Sequence, residues 1–502
     1  MARLWPSSLS TWSVVTAVVG LLAAWMDAGR VFHAWQGADS LIPVLVSLLR
    51  WTPFYWQQDR FGMLVPLLAT PVRDPWANLL VQDWLMTSAA LLAPFLIARA
   101  MARIPAVWCT AGATANLLLF LCVRADVRFD WLVTQPYALS IALGAAALIV
   151  VERSGVAATL AACALMALAH WVNVGVAALV APIAVLRGAG DIGRALPVTA
   201  AGAALGTALV QLSPYRTPTN LIALAEWSTA WSQLLANSWT PFREGGLPFA
   251  GVTIAVVSAA ALMRRTAWSV VRRPVAAATA TALGYWILVG TSRWVQMNLY
   301  YPRYVYPTYI LCGVAIGMVG ATAIFNRWQA AALTLLAALT TTVAAEYGTP
   351  SLERVRSEFD ARFGSLTADV VASGARVIGG DYWTVWPAVF HANAAAYAQR
   401  RDYPPVYGLT FRSTATDALW KATSVLVAVK IGDRAVDAFA VRTGVSLTFV
   451  SHWPAVDLFA AQPAVTGTAG LLQGRALGFL RQDLELKAHG AIPIHIVHQQ
   501  IP

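Results

Sequence analysis

Ten apolar stretches, most of them close to the ~20 residues an α-helix needs to cross a bilayer, follow one another through the first two thirds of this 502-residue chain. They lie near residues 76–98, 105–123, 136–152, 155–170, 173–187, 195–212, 247–263, 274–292, 308–325 and 329–346, and the run Val14–Met26 precedes them. This pattern constrains the fold more than any other feature. In lipid, every backbone polar group must be satisfied internally, so a chain of such segments folds as a helical bundle. Composition agrees: only 12% of residues are charged, against about 25% in soluble domains, and mean hydropathy is +0.60. The sequence predicts a multi-span α-helical membrane domain of about 11 transmembrane helices over residues 1–346. The first span reads as retained, since Trp25-Met26-Asp27-Ala28-Gly29 lacks a small-x-small cleavage pattern.

Beyond Tyr347-Gly348-Thr349-Pro350 the composition changes, and all three lysines (Lys421, Lys430, Lys487) lie there. Residues 347–502 are long enough for one domain with its own core. An amphipathic helix is expected over about Leu352 to Ser373. A glycine-closed strand follows at Ala375–Gly380, and further strands are expected at Val406–Phe411, Ser424–Ile431, Ser446–Ser451 and Ile492–His498. Strands alternating with helical patterns predict a small C-terminal α/β domain.

The formal net charge of +11 does not point to nucleic acid, because most arginines sit in short loops between apolar spans, where they set topology. With a cytoplasmic N-terminus, loops carrying Arg99, Arg103, Arg153, Arg187, Arg194, Arg264, Arg265, Arg272, Arg273 and Arg327 fall on the cytoplasmic side. Loops of mixed sign fall outside, including the two long loops 30–75 and 213–246, and the α/β tail becomes extracytoplasmic. Within 213–246, Leu221, Ile222, Leu224, Trp227, Trp231, Leu234 and Leu235 recur near helical spacing. They suggest either a helix lying in the interface or a simple aromatic belt. The four cysteines (Cys109, Cys122, Cys163, Cys312) show no paired spacing, which argues against a disulfide framework or a zinc site. Gly188-Ala189-Gly190-Asp191-Ile192-Gly193 matches a dinucleotide fingerprint, but no strand precedes it, so it reads as a turn between spans.

Several residues could carry chemistry. The stretch Gly37–Asp74 mixes acids, aromatic anchors and apolar runs, and reads as a membrane-hugging loop that presents carboxylates at the lipid–water boundary. A partly desolvated Asp39 could take a proton from a hydroxyl; equally, Asp39-Ser40 could cap a helix over Leu41–Leu49. Asp59 is either a base, a metal or substrate contact, or a solvated loop acid paired with Arg60. Asp83 lies roughly two turns into the second span, where an acid is costly and usually functional or paired. Arg303, in Tyr301-Pro302-Arg303-Tyr304 just before a late span, could fork onto a phosphate at headgroup level or snorkel within a tyrosine belt. Arg216, Arg243 and Arg293 are weaker versions of the same arrangement, while Arg128 between Asp126 and Asp130 reads as a local ion pair. His170 and Asn173 could bind a sugar or phosphate, or form an interhelical polar pair. Asp381-Tyr382-Trp383 is either a sugar platform or a docking surface.

This layout resembles the GT-C glycosyltransferases, membrane enzymes that use polyprenyl-phosphate sugars. The resemblance rests on Asp39 in Gly37-Ala38-Asp39-Ser40 after the first span, on Pro302-Arg303-Tyr304 before a late one, and on Gly380-Asp381-Tyr382-Trp383 in a C-terminal outer domain. It implies an inverting transfer from a lipid-phosphate donor to an acceptor hydroxyl of a cell-envelope glycan or glycolipid, outside the inner membrane of a bacterium. Asp39, with Asp59, would be the catalytic acids. Arg303 and Tyr304, with Arg216 and Arg243, would hold the donor phosphate. His170, Asn173, Asp381, Tyr382 and Trp383 would contact substrate. Members often carry two neighbouring acids where this chain has Asp39-Ser40, so the single acid leaves a divalent cation as an open requirement. A transporter or flippase of a lipid-linked sugar, or a non-catalytic membrane protein with a glycan- or partner-binding tail, remains the alternative.

Overall fold

In the computed structural model, the residues described are 36–55, 61–186, 189–213, 221–242, 265–323, 351–375, 377–380, 382–399, 405–409, 425–430, 445–452 and 456–463. The protein is mostly helical and divides into two compact units. The division is not a single cut near residue 347: residues 36–50 and 73–76 belong with the tail.

The larger unit is a bundle of apolar helices. Among the described residues, Pro75–Met101, Ile192–Gln211 and Pro302–Ala321 are long and apolar enough to cross a membrane. A fourth span exists if Asp126–Thr134 and Tyr137–Val150, bent by 53° at Gln135-Pro136, count as one. This is a helical architecture with a few candidate spans. The expected segments at Val14–Met26, 247–263 and 329–346 lie outside the described residues. The glycine string expected as a turn instead opens the Ala189–Gln211 helix, from Ala189 onward.

Small residues set the closest approaches in this unit. The Tyr306–Ala323 helix lies against Pro105–Cys122, with Gly313 and Gly317 facing Ala115 and Ala111. A Cβ placed on Gly317 would come within 2.6 Å of the Ala111 Cα. Such glycines at i and i+4 let two backbones meet closely, the usual device for packing helices where lipid gives no hydrophobic drive. At one end of the bundle, Arg99 forms two hydrogen bonds to the Glu152 carboxylate, at 3.2 and 2.8 Å. Asp83 is buried, 3% exposed. Just ahead of it the Asn78 amide donates to the carbonyls of Ala69 and Val72, and Gln82 donates to Asn78.

The smaller unit holds a five-stranded sheet in the order β2-β1-β3-β5-β4, with β1 Val377–Gly380, β2 Tyr407–Leu409, β3 Val425–Lys430, β4 Val445–His452 and β5 Val456–Pro463. β1 runs parallel to both β2 and β3, whereas β5 is antiparallel to β3 and β4. A parallel pair needs a crossover, and the Tyr382–Ala398 helix supplies it between β1 and β2. Its Val385, Trp386, Val389 and Phe390 are wholly buried, and the Leu352–Ala372 helix adds Val355, Phe359, Leu366 and Val370 to the core. That second helix ends at Gly374, whose φ of +66° is open to glycine at no steric cost.

The largest departure from expectation is Gly37–Asp74. Within it, Ala38–Leu48 forms a helix packed on Tyr382–Ala398, with Leu41, Ile42 and Leu45 at 0% exposure. An apolar run this short buries itself equally well against protein or lipid, and its pattern alone does not say which. Residues 73–76 join the same core: Trp76 meets Phe359, Phe390 and His391 edge-on, and Arg356 reaches Asp74 at 3.4 Å.

Candidate functional site

Chemistry concentrates at one end of the helical bundle, where the segment before the Tyr306–Ala323 helix makes a forced turn. Leu299 and Tyr300 both take left-handed backbone angles, φ +54° and +51°. A non-glycine residue pays for that conformation, and two in succession persist only where surrounding contacts impose them. Here the Tyr300 amide donates to the Val295 carbonyl, Asn298 donates to Trp294, and Asn237 from the Trp227–Trp239 helix donates to the Leu299 carbonyl. Pro302 then starts a 3-10 turn over Pro302–Val305.

That turn presents Arg303. Its guanidinium lies 5.5 Å from the Tyr301 ring centre and 5.3 Å from that of Tyr304, a cation–π arrangement. Its Nη2 points at the Tyr304 hydroxyl, which also accepts from the Trp294 indole at 3.1 Å. Its Nη1 is 4.0 Å from Asp130 Oδ1, and both side chains are 16% exposed. Asp130 opens a π-helical turn, Asp130–Thr134, and the Thr134 hydroxyl donates to its carboxylate at 2.6 Å. Turns of this kind recur at functional sites. Beside them Arg124 grips Asp126 with two hydrogen bonds, at 3.1 and 2.9 Å. The Tyr301 phenol feels both ion pairs. Burial pushes its pKa well above the usual range; Asp130 adds to this and Arg303 opposes it, with weaker effects from Asp126 and Arg124.

Aromatic groups back the turn. Trp131 stacks on Tyr309 at 4.9 Å and tilts against Tyr306, while the Tyr309 hydroxyl donates to the Ser238 carbonyl. Among the described residues, the buried Trp131 Nε1, Tyr300 hydroxyl and Tyr306 hydroxyl have no hydrogen-bond partner. Three orphaned buried donors in one region are unusual, since buried polar groups are nearly always satisfied. The Trp227–Trp239 helix lies alongside. Leu234 is buried against the bundle, while Leu235 and Trp239 are each 51% exposed, so only part of its expected apolar face points outward.

The remaining expected residues fall elsewhere. Asp39 is in the α/β unit, half-buried in the first turn of Ala38–Leu48. The cap expected at Asp39 is instead Gly37, whose amide bonds Ser40 Oγ at 3.2 Å. Asp39 thus complements the helix dipole. Asp59, Arg216, Arg243 and Asp381 lie outside the described residues. Tyr382 begins its helix, and Trp383 in the same turn is 46% exposed. His170 Nε2 and the Thr207 hydroxyl are 3.0 Å apart, which ties two helices, and the Asn173 carbonyl oxygen accepts from the Gly175 amide. The His170 contact is interhelical, whereas that of Asn173 stays within its own turn. Arg293 pairs with Glu226 at 3.2 Å.

The α/β unit also contains a row that sequence reasoning missed. His391 Nε2 meets Asp360 at 2.8 Å, and its Nδ1 meets the Thr367 hydroxyl at 2.7 Å. A carboxylate only accepts, so Nε2 carries the proton and Nδ1 receives the threonine hydrogen. The order imitates a nucleophile–histidine–acid relay. Yet Thr367 and His391 are 4% and 3% exposed, with Trp76 and Phe359 against the imidazole, so no substrate reaches them. The row is structural. Among the described residues, no three His, Cys, Asp or Glu side chains converge to hold a metal ion.

No known family model matches the chain, and no curated protein is significantly similar to it.

Proposed function

We propose that the protein is an inverting glycosyltransferase. It moves a sugar from a polyprenyl-phosphate donor to an acceptor hydroxyl on the outer face of a bacterial inner membrane. One observation carries the reading: Arg303 stands between two tyrosine rings at the start of a candidate span, on a turn held in a strained conformation. A guanidinium there suits a phosphate at headgroup depth, because its planar fork matches two phosphate oxygens at once. In the reaction, the acceptor oxygen attacks the anomeric carbon and the bond from that carbon to the phosphate oxygen breaks. Polyprenyl phosphate leaves with the bonding electrons. Arg303 stabilises the charge gathering on the departing phosphate, and the acceptor's proton passes to a carboxylate, the role that the family resemblance alone gives Asp39. Tyr304 orients Arg303. The eleven-span layout, the outward-facing tail and the substrate contacts of Asp381, Tyr382 and Trp383 belong to the same proposal.

The test is sugar transfer in proteoliposomes from a radiolabelled polyprenyl-phosphate sugar to a glycan acceptor. Arg303→Gln should reduce transfer about a hundredfold or more, the usual effect of losing one charge-stabilising donor. Asp39→Asn should abolish turnover while donor binding survives; Asp59→Asn separates the second acid. Full activity in Arg303→Gln would sink the assignment. Vesicle passage of the lipid-linked sugar with no transfer would favour a carrier instead.

A further inference from the structure

The Trp227–Trp239 helix turns its Ala230 and Leu234 inward, against the bundle. What it turns outward is unusual for a water-exposed helix. Between Arg216 and Arg243 the chain has one charged residue, Glu226, where a solvated surface carries roughly one in four. Leu224, Leu235 and Trp239 are exposed there, among Ser228, Ser232 and Gln233. The segment after the Arg265–Gly290 helix lies alongside: the Ile222 amide donates to the Thr291 carbonyl, and the Asn237 side chain to the Leu299 carbonyl at 2.8 Å. Met297 and Leu299 are exposed on it. Its one charge before Arg303, Arg293, pairs with Glu226 at 3.2 Å, and Gln296 donates to the same carboxylate at 2.7 Å. The acid and the base of this surface cancel each other, which lowers the cost of taking it out of bulk water. Leu299 adds a second observation. It holds a left-handed φ of +54° and is 61% exposed. A leucine there gains neither backbone ease nor core burial, and asparagine or glycine would hold the turn at lower cost.

We propose that Leu224, Leu235, Trp239, Met297 and Leu299 form a foot seated in the interfacial zone of a phospholipid bilayer, with the Leu299 side chain inserted among the acyl chains. Continuity makes the occupant lipid and not a partner protein. Leu283, Ile287 and Leu288 are exposed on one face of the Arg265–Gly290 helix that leads up to the foot. Pro302–Ala321, long and apolar enough to cross a membrane, starts three residues past Leu299. Tryptophan suits the headgroup level, where one end of a side chain is apolar and the other wet. Seated this way, the foot fixes the depth at which the following Pro302–Val305 turn meets the bilayer, whatever Arg303 binds.

The test uses the full chain in nanodiscs of phosphatidylcholine and phosphatidylglycerol, with nitroxide spin labels at Leu224→Cys, Leu235→Cys and Leu299→Cys, one at a time, in a Cys163→Ala, Cys312→Ala background. Collision with oxygen, which concentrates in lipid, is compared with collision with a water-soluble nickel chelate. Leu205→Cys, exposed on the candidate span Ile192–Gln211, gives the lipid reference, and Ser365→Cys, exposed on the α/β unit, the water reference. The three foot labels should show an oxygen-to-nickel ratio several-fold above that at Ser365→Cys. A ratio no higher than at Ser365→Cys overturns the proposal, because the surface is then solvated. Shielding from oxygen and nickel alike also overturns it, because a protein then covers the surface. Leu299→Asn tests the strained residue. Asparagine takes left-handed angles more readily, so this variant should melt no lower than the parent, while the ratio at Leu235→Cys falls toward the water reference. A lower melting point, or an unchanged ratio, overturns the insertion of Leu299, since its side chain then serves the fold or nothing. If Leu235→Cys misfolds, Trp239→Cys takes its place with the same expected ratio.

Discussion

The helix pair Tyr306–Ala323 and Pro105–Cys122 offers a sharp test of how the bundle is held. An alanine methyl at Gly317 would sit 2.6 Å from Ala111 Cα, 2.9 Å from Ala111 O and 2.9 Å from Thr114 Cβ. Two of those neighbours are backbone and cannot rotate away. Carbon atoms pack at about 3.5–4.0 Å, so the helices must part by roughly 1 Å along that seam. Overpacking of this kind costs about 1–3 kcal/mol. For a unit of this size each kcal/mol corresponds to about 2–4 °C, so Gly317→Ala should melt roughly 2–12 °C lower. The assay is thermal unfolding of the detergent-purified chain followed by the fluorescence of its 22 tryptophans. Gly320 on the same helix is the control, since a methyl there meets nothing within 4 Å. Gly320→Ala should be neutral or raise the melting point slightly, by removing glycine's helix penalty of about 0.5–1 kcal/mol. Equal shifts for the two variants would refute the argument, because both change the same residue type on one helix and only the contact differs.

Three further outcomes follow from the α/β unit and the bundle end. Leu41→Ala should destabilise the α/β unit by about 2–5 kcal/mol, because Leu41 is wholly buried in a helix that packs on Tyr382–Ala398; hydrogen exchange should show faster amides in Tyr382–Ala398, and unaltered protection there would contradict the packing. His391 is held below its ordinary pKa, first by burial, with Asp360 partly opposing. The unfolded state therefore binds the proton more readily, so stability is complete above the unfolded value of about 6.5 and declines as pH falls below it, by at most about 1.4 kcal/mol per unit; Asp360→Asn should extend that decline to lower pH, and a chain whose melting point is flat from pH 7 to 5 would disprove the buried neutral imidazole. Glu152→Gln should cost about 1–3 kcal/mol, read as a lower melting point, because it removes the charge from a partly buried two-point bond to Arg99; an unchanged value would place that pair among the ion pairs that contribute nothing.

How much of this could be read from residues alone depends on whether the signal was local. The α/β tail was visible because its signals are short-range: a valine-rich apolar run at Val425–Lys430, glycines closing Val377–Gly380, helical periodicity over Leu352–Ala372. β5, Val456–Pro463, was missed because Pro454 and Pro463 flank an ordinary mixed run. The alliance of Ala38–Leu48 with the tail was out of reach, since hydrophobicity specifies that a face is buried and not against what. Arg303 was legible as an arginine between tyrosines before a span. Asp130 was not, because its relation to Arg303 spans more than 170 residues and its neighbours Arg128 and Asp126 suggested a pairing within the loop. One local clue was present. Trp131 and Tyr306 are polar-tipped aromatics beside those charges, and both prove buried with a donor unspent. A chain that places costly groups (an acid, an arginine, three unsatisfied donors and two strained backbone positions) at one end of an otherwise apolar bundle gives up stability there. Stability alone would favour apolar replacements at those positions, and this is the cost that the proposed phosphate grip at Arg303 would account for.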